Sequence, residues 1–151
     1  MRVVEILEAV ELQAPPAKVF PWVDDLARYP AWLGIVARVQ PAGEVTWLID
    51  LRGKVGPFAR SKRLRMRRTV YEPERLVIFE RRENDGRSHS PWVLEAALDR
   101  IDTGTRLSMR LRYGGALWGG VLERILHDEI VKAKGRLQEL VVDPSSTAQA
   151  P

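Results

Sequence analysis

Along most of this chain, apolar and polar residues alternate with a period of two. In residues 3–12, Val4, Ile6, Val10 and Leu12 share one parity with a single acid, Glu8, which predicts a strand with one mainly apolar face. Six more segments read the same way: 35–40, 44–52, 58–71, 75–83, 88–99 and 105–113. In the third, Val45, Trp47, Ile49 and Leu51 alternate with Thr46, Asp50 and Arg52. In the next, Phe58, Leu64, Met66 and Val70 lie opposite Arg63, Arg65 and Arg67. The last two place Trp92, Leu94, Ala96 and Leu98, then Thr105, Leu107, Met109, Leu111 and Tyr113, on one side. Turn residues separate these segments, notably Gly53 to Pro57, Glu72-Pro73-Glu74 and Asn84-Asp85-Gly86.

The alternation is interrupted twice. After Ala14-Pro15-Pro16, residues 17–25 read as a short helix burying Val19, Phe20, Trp22 and Val23, and 26–32 as a second helical turn broken by Pro30. From Ala116 to Val142 the period lengthens. Leu122, Ile125, Leu126, Ile130, Ala133, Leu137, Leu140 and Val141 form the stripe of a long helix, which Gly119, Gly120 and Gly135 weaken.

Consecutive strands with short turns imply an antiparallel sheet. A seven-stranded sheet twists and curls. The last helix must bury its stripe against the apolar face, and a curled sheet around a helix can leave a cavity. Residues 1–142 therefore read as one α+β domain, and the small polar stretch 143–151 as a flexible tail.

Composition narrows the function classes. The chain has 151 residues, 45% hydrophobic and 29% charged, with a formal charge of +4, which suits one globular domain. No apolar run approaches membrane-spanning length, and no cysteine exists for a disulfide, thiolate ligand or nucleophile. With no signal-like N-terminal core, a cytoplasmic location is expected. The positive charge is not clustered enough to predict nucleic-acid binding, and the arginine run between Arg60 and Arg68 reads mainly as a solvated sheet face. His89 and His127 lack metal-ligand spacing and read as surface residues, so neither a metal nor a cofactor is expected.

The element order and three local patterns resemble the START-like (helix-grip) SRPBCC superfamily, in its polyketide cyclase/dehydrase and lipid-transport branch. The patterns are Ala-Pro-Pro-Ala-Lys-Val-Phe from Ala14, Val-Asp-Asp-Leu-Ala-Arg-Tyr-Pro-Ala-Trp from Val23, and Gly104-Thr105-Arg106-Leu107 through Tyr113-Gly114-Gly115 into the long helix. The second is similar to that group's Asp-x-x-x-Tyr-Pro-x-Trp signature. The resemblance implies a helix-grip fold: a curved seven-stranded antiparallel sheet around the C-terminal helix, with two short helices after the first strand. It also implies a hydrophobic cavity between sheet and helix.

Parity and stripe select the ligand-wall candidates: Trp47, Leu64, Met66, Trp92, Leu94, Met109, Leu111, Tyr113, Leu122, Ile125 and Leu126. Arg68 and Glu129 are the inward polar candidates, and Arg60 and Lys62 share the inward parity near a strand end. The glycine-bearing loops 53–57, 84–86 and 114–115, with Trp118, are expected at one rim, the cavity mouth. The leading expectation is a monomer or homodimer that binds a small hydrophobic molecule such as a lipid, isoprenoid or polyketide-like compound. An aromatase/cyclase or dehydratase would need an acid or base over a bound carbonyl chain, and Tyr113, Glu129 and Arg68 are its only inward candidates. A coenzyme Q-binding-like or protein-interaction module would need an apolar outer patch. A cavity of several hundred cubic ångströms is the expected mark of the binder.

Overall fold

The computed structural model describes residues 3–55, 57–114 and 121–142. Strand β1 (Val3–Leu12) leads into helix α1 (Pro16–Val23) and a 3-10 turn (Leu26–Ala31). Strands β2 (Val36–Gly43), β3 (Thr46–Val55), β4 (Phe58–Glu72), β5 (Leu76–Arg81), β6 (Trp92–Ile101) and β7 (Gly104–Gly114) follow, then helix α2 (Val121–Val142). The sheet order is β1-β7-β6-β5-β4-β3-β2, and every neighbouring pair is antiparallel. This is the predicted helix-grip architecture. The expected helix start at Ala116 and the tail 143–151 lie outside the described residues.

Alternation sets the faces. On the inner face Val77 stands between Tyr71 and Ala96, and Phe79 between Arg68 and Leu94; Val77, Phe79 and Ala96 are fully buried. The outer face is a ladder of opposite charges, with Arg63 on Asp50 at 2.9 Å and Arg106 on Glu11 at 2.7 Å. The arginine half-strand expected on a solvated face is found there.

Four expectations from the alternation need correction. Val70 is not on the inner face. The register of β4 against β5 slips between Arg68 and Val70, so Val70 faces Ile78 and Tyr71 takes the inner position opposite Val77; a β-bulge inserts one residue and inverts parity beyond it. Val45 is a turn residue with φ 43°, and β3 starts at Thr46. β5 ends at Arg81 and β6 begins at Trp92, so the segment between them is a long connection rather than strand ends. Trp22 is only half-buried, while Pro16, Val19, Phe20 and Val23 are the buried residues of α1.

Helix α2 lies against β1 and β3, across the gap between the two edges of the curled sheet. Leu126, Ala133, Leu137 and Val141 are its buried stripe. The turns after β2, β4 and β6 lie at one end of the sheet, where α1 and the 3-10 turn pack. That end carries an aromatic floor: Tyr29 lies 4.7 Å from Trp32 and 6.2 Å from Phe79, and Trp47 meets Phe79 edge-on at 5.6 Å. The connections after β3, β5 and β7 lie at the opposite end.

Candidate functional site

Between the inner sheet face, the 3-10 turn and α2 lies a cavity of about 120 Å³. Its walls are almost entirely apolar. Seven predicted wall residues meet there: Leu64, Met66, Trp92, Leu94, Met109, Leu111 and Leu126. Further strand residues, Ile49, Leu51 and Leu107 among them, and Ala133 and Leu137 of the helix add to the walls, and Glu8 and Lys134 are the charged residues that line the cavity. The strand residues among them share the parity of the predicted ones and were legible by the same rule. Leu26, Tyr29, Trp32 and Leu33 close the floor. The first three come from the Asp-x-x-x-Tyr-Pro-x-Trp stretch and Leu33 follows it directly, and no alternation there gives a sign that it reaches the cavity. These large rings explain why the space is smaller than the several hundred cubic ångströms expected.

The other candidates fall elsewhere. Trp47 packs edge-on against Phe79 and does not line the cavity. Tyr113 is buried and stacks on Trp92 at 5.1 Å, behind the cavity wall. Arg68 faces α1: Nη1 donates to the main-chain oxygen of Asp24 at 3.2 Å, and the guanidinium lies 4.2 Å from the Tyr71 ring centre. Burial raises the Asp24 carboxyl above its ordinary range, and the charge of Arg68 opposes that rise. Ile125 and Glu129 line a separate polar groove between α2 and the β3–β4 hairpin, with Arg52, Lys54, Arg60 and Lys132. Glu129 also lies over Gly34, where an added Cβ would crowd its Oε2. The Leu122 side chain and Trp118 lie outside the described residues.

Above the cavity, toward the β3–β4 and β5–β6 connections, the inner face turns polar. Arg81 stands opposite Met66, and its side chain is only 10% exposed. Its Nε donates to Glu83 Oε2 at 2.7 Å, and its Nη1 to the Ser90 main-chain oxygen at 3.2 Å. Glu83 Oε2 also accepts from the Arg65 main-chain N–H at 3.2 Å. Lys62, opposite Leu51, lies within electrostatic reach of this pair. Burial lowers the Lys62 ammonium below its ordinary range, Arg81 lowers it further, and Glu83 partly counters both. The parity of Val77 and Phe79 runs on to Arg81 and was the available sequence signal for it. In the wall below, the Trp92 indole is 4% exposed, and its buried Nε1 has no hydrogen-bond partner among the described residues.

The histidines are apart from the cavity. His89 Nε2 lies 2.9 Å from Asp85 Oδ2, and His127 Nδ1 lies 3.4 Å from Glu8 Oε1. Among the described residues no cluster of three His, Cys, Asp or Glu residues is placed to hold a metal. No helix among them is long and apolar enough to cross a membrane.

A greasy hollow gripped between a curved sheet and a terminal helix is matched by the sequence itself. Residues 4–141 match the family described as polyketide cyclase/dehydrase and lipid transport. The chain belongs to this family. Solved structures share the polyketide cyclase/dehydrase fold over nearly the full length. A START superfamily protein from Mycobacterium smegmatis superposes with a TM-score of 0.69 at 12% identity, covering 93% of this chain and 98% of that one. A protein from Deinococcus radiodurans gives 0.67 at 15% identity, over 93% and 99%. The di-domain aromatase/cyclase StfQ of the steffimycin biosynthetic pathway gives 0.64 at 12% identity, covering 95% of this chain and 52% of StfQ. Identities this low carry the fold alone. No curated protein matches the sequence significantly.

The signature-like stretch has a local structural role in this member of the polyketide cyclase/dehydrase family. Asp25 Oδ1 accepts from the Ala27 N–H at 2.9 Å and caps the 3-10 turn. Tyr29 Oη donates to the Val23 oxygen at 2.8 Å, and Trp32 Nε1 to the Trp22 oxygen at 2.9 Å. Each long-range bond satisfies a main-chain oxygen near the end of α1, so the motif ties the turn to the helix. Burial and the neighbouring Asp24 push the Tyr29 phenol far above its ordinary range, so it stays a neutral donor.

Proposed function

We propose that this protein binds a small hydrophobic molecule in the cavity between the sheet and α2. The observation that carries the reading is the cavity itself: an apolar space of about 120 Å³ between the sheet and α2. Protein interiors are packed like organic crystals, and dry apolar voids of about 150 Å³ take up benzene. Membership of a family described as polyketide cyclase/dehydrase and lipid transport supports the same reading. So does Trp92 Nε1 in the wall, which has no partner among the described residues, because an orphaned buried donor is costly until a guest supplies an acceptor.

An aromatase/cyclase needs an acid or base over a bound chain. Arg68, Tyr113 and Glu129 stand in three separate places: against α1, behind Trp92 and in the groove beside α2. Binding is therefore the better supported reading. A protein-interaction role finds little support either, since the outer sheet face is charged and ion-paired.

Native mass spectrometry of gently purified protein tests the binding reading. A co-purified small molecule that is lost on denaturation is the expected result. Protein that carries no guest and takes up no apolar probe such as toluene would overturn it.

A further inference from the structure

We propose that the guest is a monocarboxylate whose apolar body, about the size of one aromatic ring, fills the cavity while its carboxylate meets Lys62 and Arg81. This rests on the cavity reading above and adds the chemical class of the ligand.

Three observations converge on it. First, the polar cap of the inner face has unequal charge. Lys62 and Arg81 are two cations on adjacent strands, and Glu83 is bonded to Arg81 and not to Lys62. Lys62 makes no hydrogen bond or ion pair among the described residues, although its side chain is half-buried. Two half-buried like charges repel each other, and an incoming anion relieves the repulsion.

Second, the polar groups left over in the cap are donors, whereas Glu129 Oε2, a buried acceptor without a partner among the described residues, lies in the groove beside α2. Arg81 uses Nε and Nη1 on Glu83 and Ser90, and Nη2 has no partner among the described residues. The Trp92 indole N–H is buried without an acceptor. Ammonium, guanidinium and indole N–H groups accept nothing, so the complementary head group is an oxygen acceptor. The unmatched positive charge makes it anionic.

Third, the cap adjoins the cavity through strand register: Lys62 and Arg81 stand beside lining residues, not among them. Met66, opposite Arg81, and Leu51, opposite Lys62, both line the hollow. A head group at the cap therefore places its body in the apolar space. A volume of about 120 Å³ suits a single ring, close to the void of about 150 Å³ that takes up benzene.

The test titrates the full-length protein at low salt with benzoate, benzamide and toluene, followed by NMR shifts. Benzoate is expected to bind at least tenfold more tightly than benzamide. Lys62→Met is expected to erase that preference while leaving toluene binding unchanged, and Lys62→Arg to restore most of it. Unchanged toluene binding shows that the variant is folded and its cavity intact. Toluene binding with no benzoate preference, or a preference that survives Lys62→Met, overturns the carboxylate assignment and leaves the cavity reading standing. No binding of any probe overturns both.

Discussion

The Tyr29 hydroxyl donates a hydrogen bond to the main-chain oxygen of Val23 at 2.8 Å, and neither group is open to solvent. The bond links the 3-10 turn to the last residue of α1 and holds the Tyr29 ring against Trp32 and Phe79. Tyr29→Phe keeps the ring and deletes the donor, leaving a buried carbonyl without its partner. The expected cost is about 1–3 kcal/mol, read as a lower urea midpoint with an unchanged slope. A midpoint equal to wild type would mean that water replaces the hydroxyl.

Two glycines should respond to alanine in opposite directions. Gly104 has φ +146°, and an added Cβ would collide with the main chain of Leu12 and Ala14. The backbone conformation alone costs an L-residue about 1–3 kcal/mol, and the collision adds to it, so Gly104→Ala should lower the melting temperature by several degrees. Gly135 lies in α2 with open space where its Cβ would be, and Gly135→Ala should raise stability by roughly 0.5–1 kcal/mol. Thermal melts of both variants check the pair. A neutral Gly104→Ala would contradict the close approach of Gly104 to the main chain at the end of β1.

Ala133 is buried on α2 and faces the cavity. Ala133→Leu places an isobutyl group in that space. Uptake of toluene should fall at least tenfold, while thermal stability holds or rises because a void is filled. Undiminished uptake would place the guest elsewhere.

Asp24 carries a pH signature. Its carboxyl is raised above the ordinary value near 3.8, chiefly by burial. The folded state thus binds this proton more tightly than the unfolded state does. The contribution to stability is fully present below the unfolded value and is lost as pH rises through the folded one. Asp24→Asn removes that loss, so at pH 7 the variant should melt no lower than wild type. Its advantage should shrink as the pH falls toward 4. A variant several degrees less stable at pH 7 would mean that the attraction to Arg68 outweighs burial.

Much of the fold was written in the alternation. Trp92, Leu94, Ala96 and Leu98 point inward as their parity requires, because a strand with one solvated face has no other way to bury its apolar residues. The stripe of α2 was legible for the same reason at the helical period. Parity failed at Val70, where one inserted residue reversed the faces, and nothing in a string of apolar and basic residues marks such a slip. The cavity wall could be read strand by strand, but not its depth. That depends on Tyr29 and Trp32 folding back from a 3-10 turn, through bonds to oxygens that every residue carries. Arg81 was missed for a different reason. A charged residue at a strand end looks like surface until its neighbours Val77 and Phe79 show which side it occupies.

The way α2 closes the sheet gives the molecule a preferred direction of yielding. Peptide hydrogen bonds run from β1 round to β2. Among the described residues, by contrast, no main-chain pair bridges α2 to a strand; side chains such as Gln138, whose Oε1 accepts from the Gln13 N–H, make that seam. Stretching the hoop would break many amide pairs at once, whereas tilting the rod exchanges one set of aliphatic contacts for another. A bulkier occupant would be accommodated by lifting the rod, leaving the hoop unstretched.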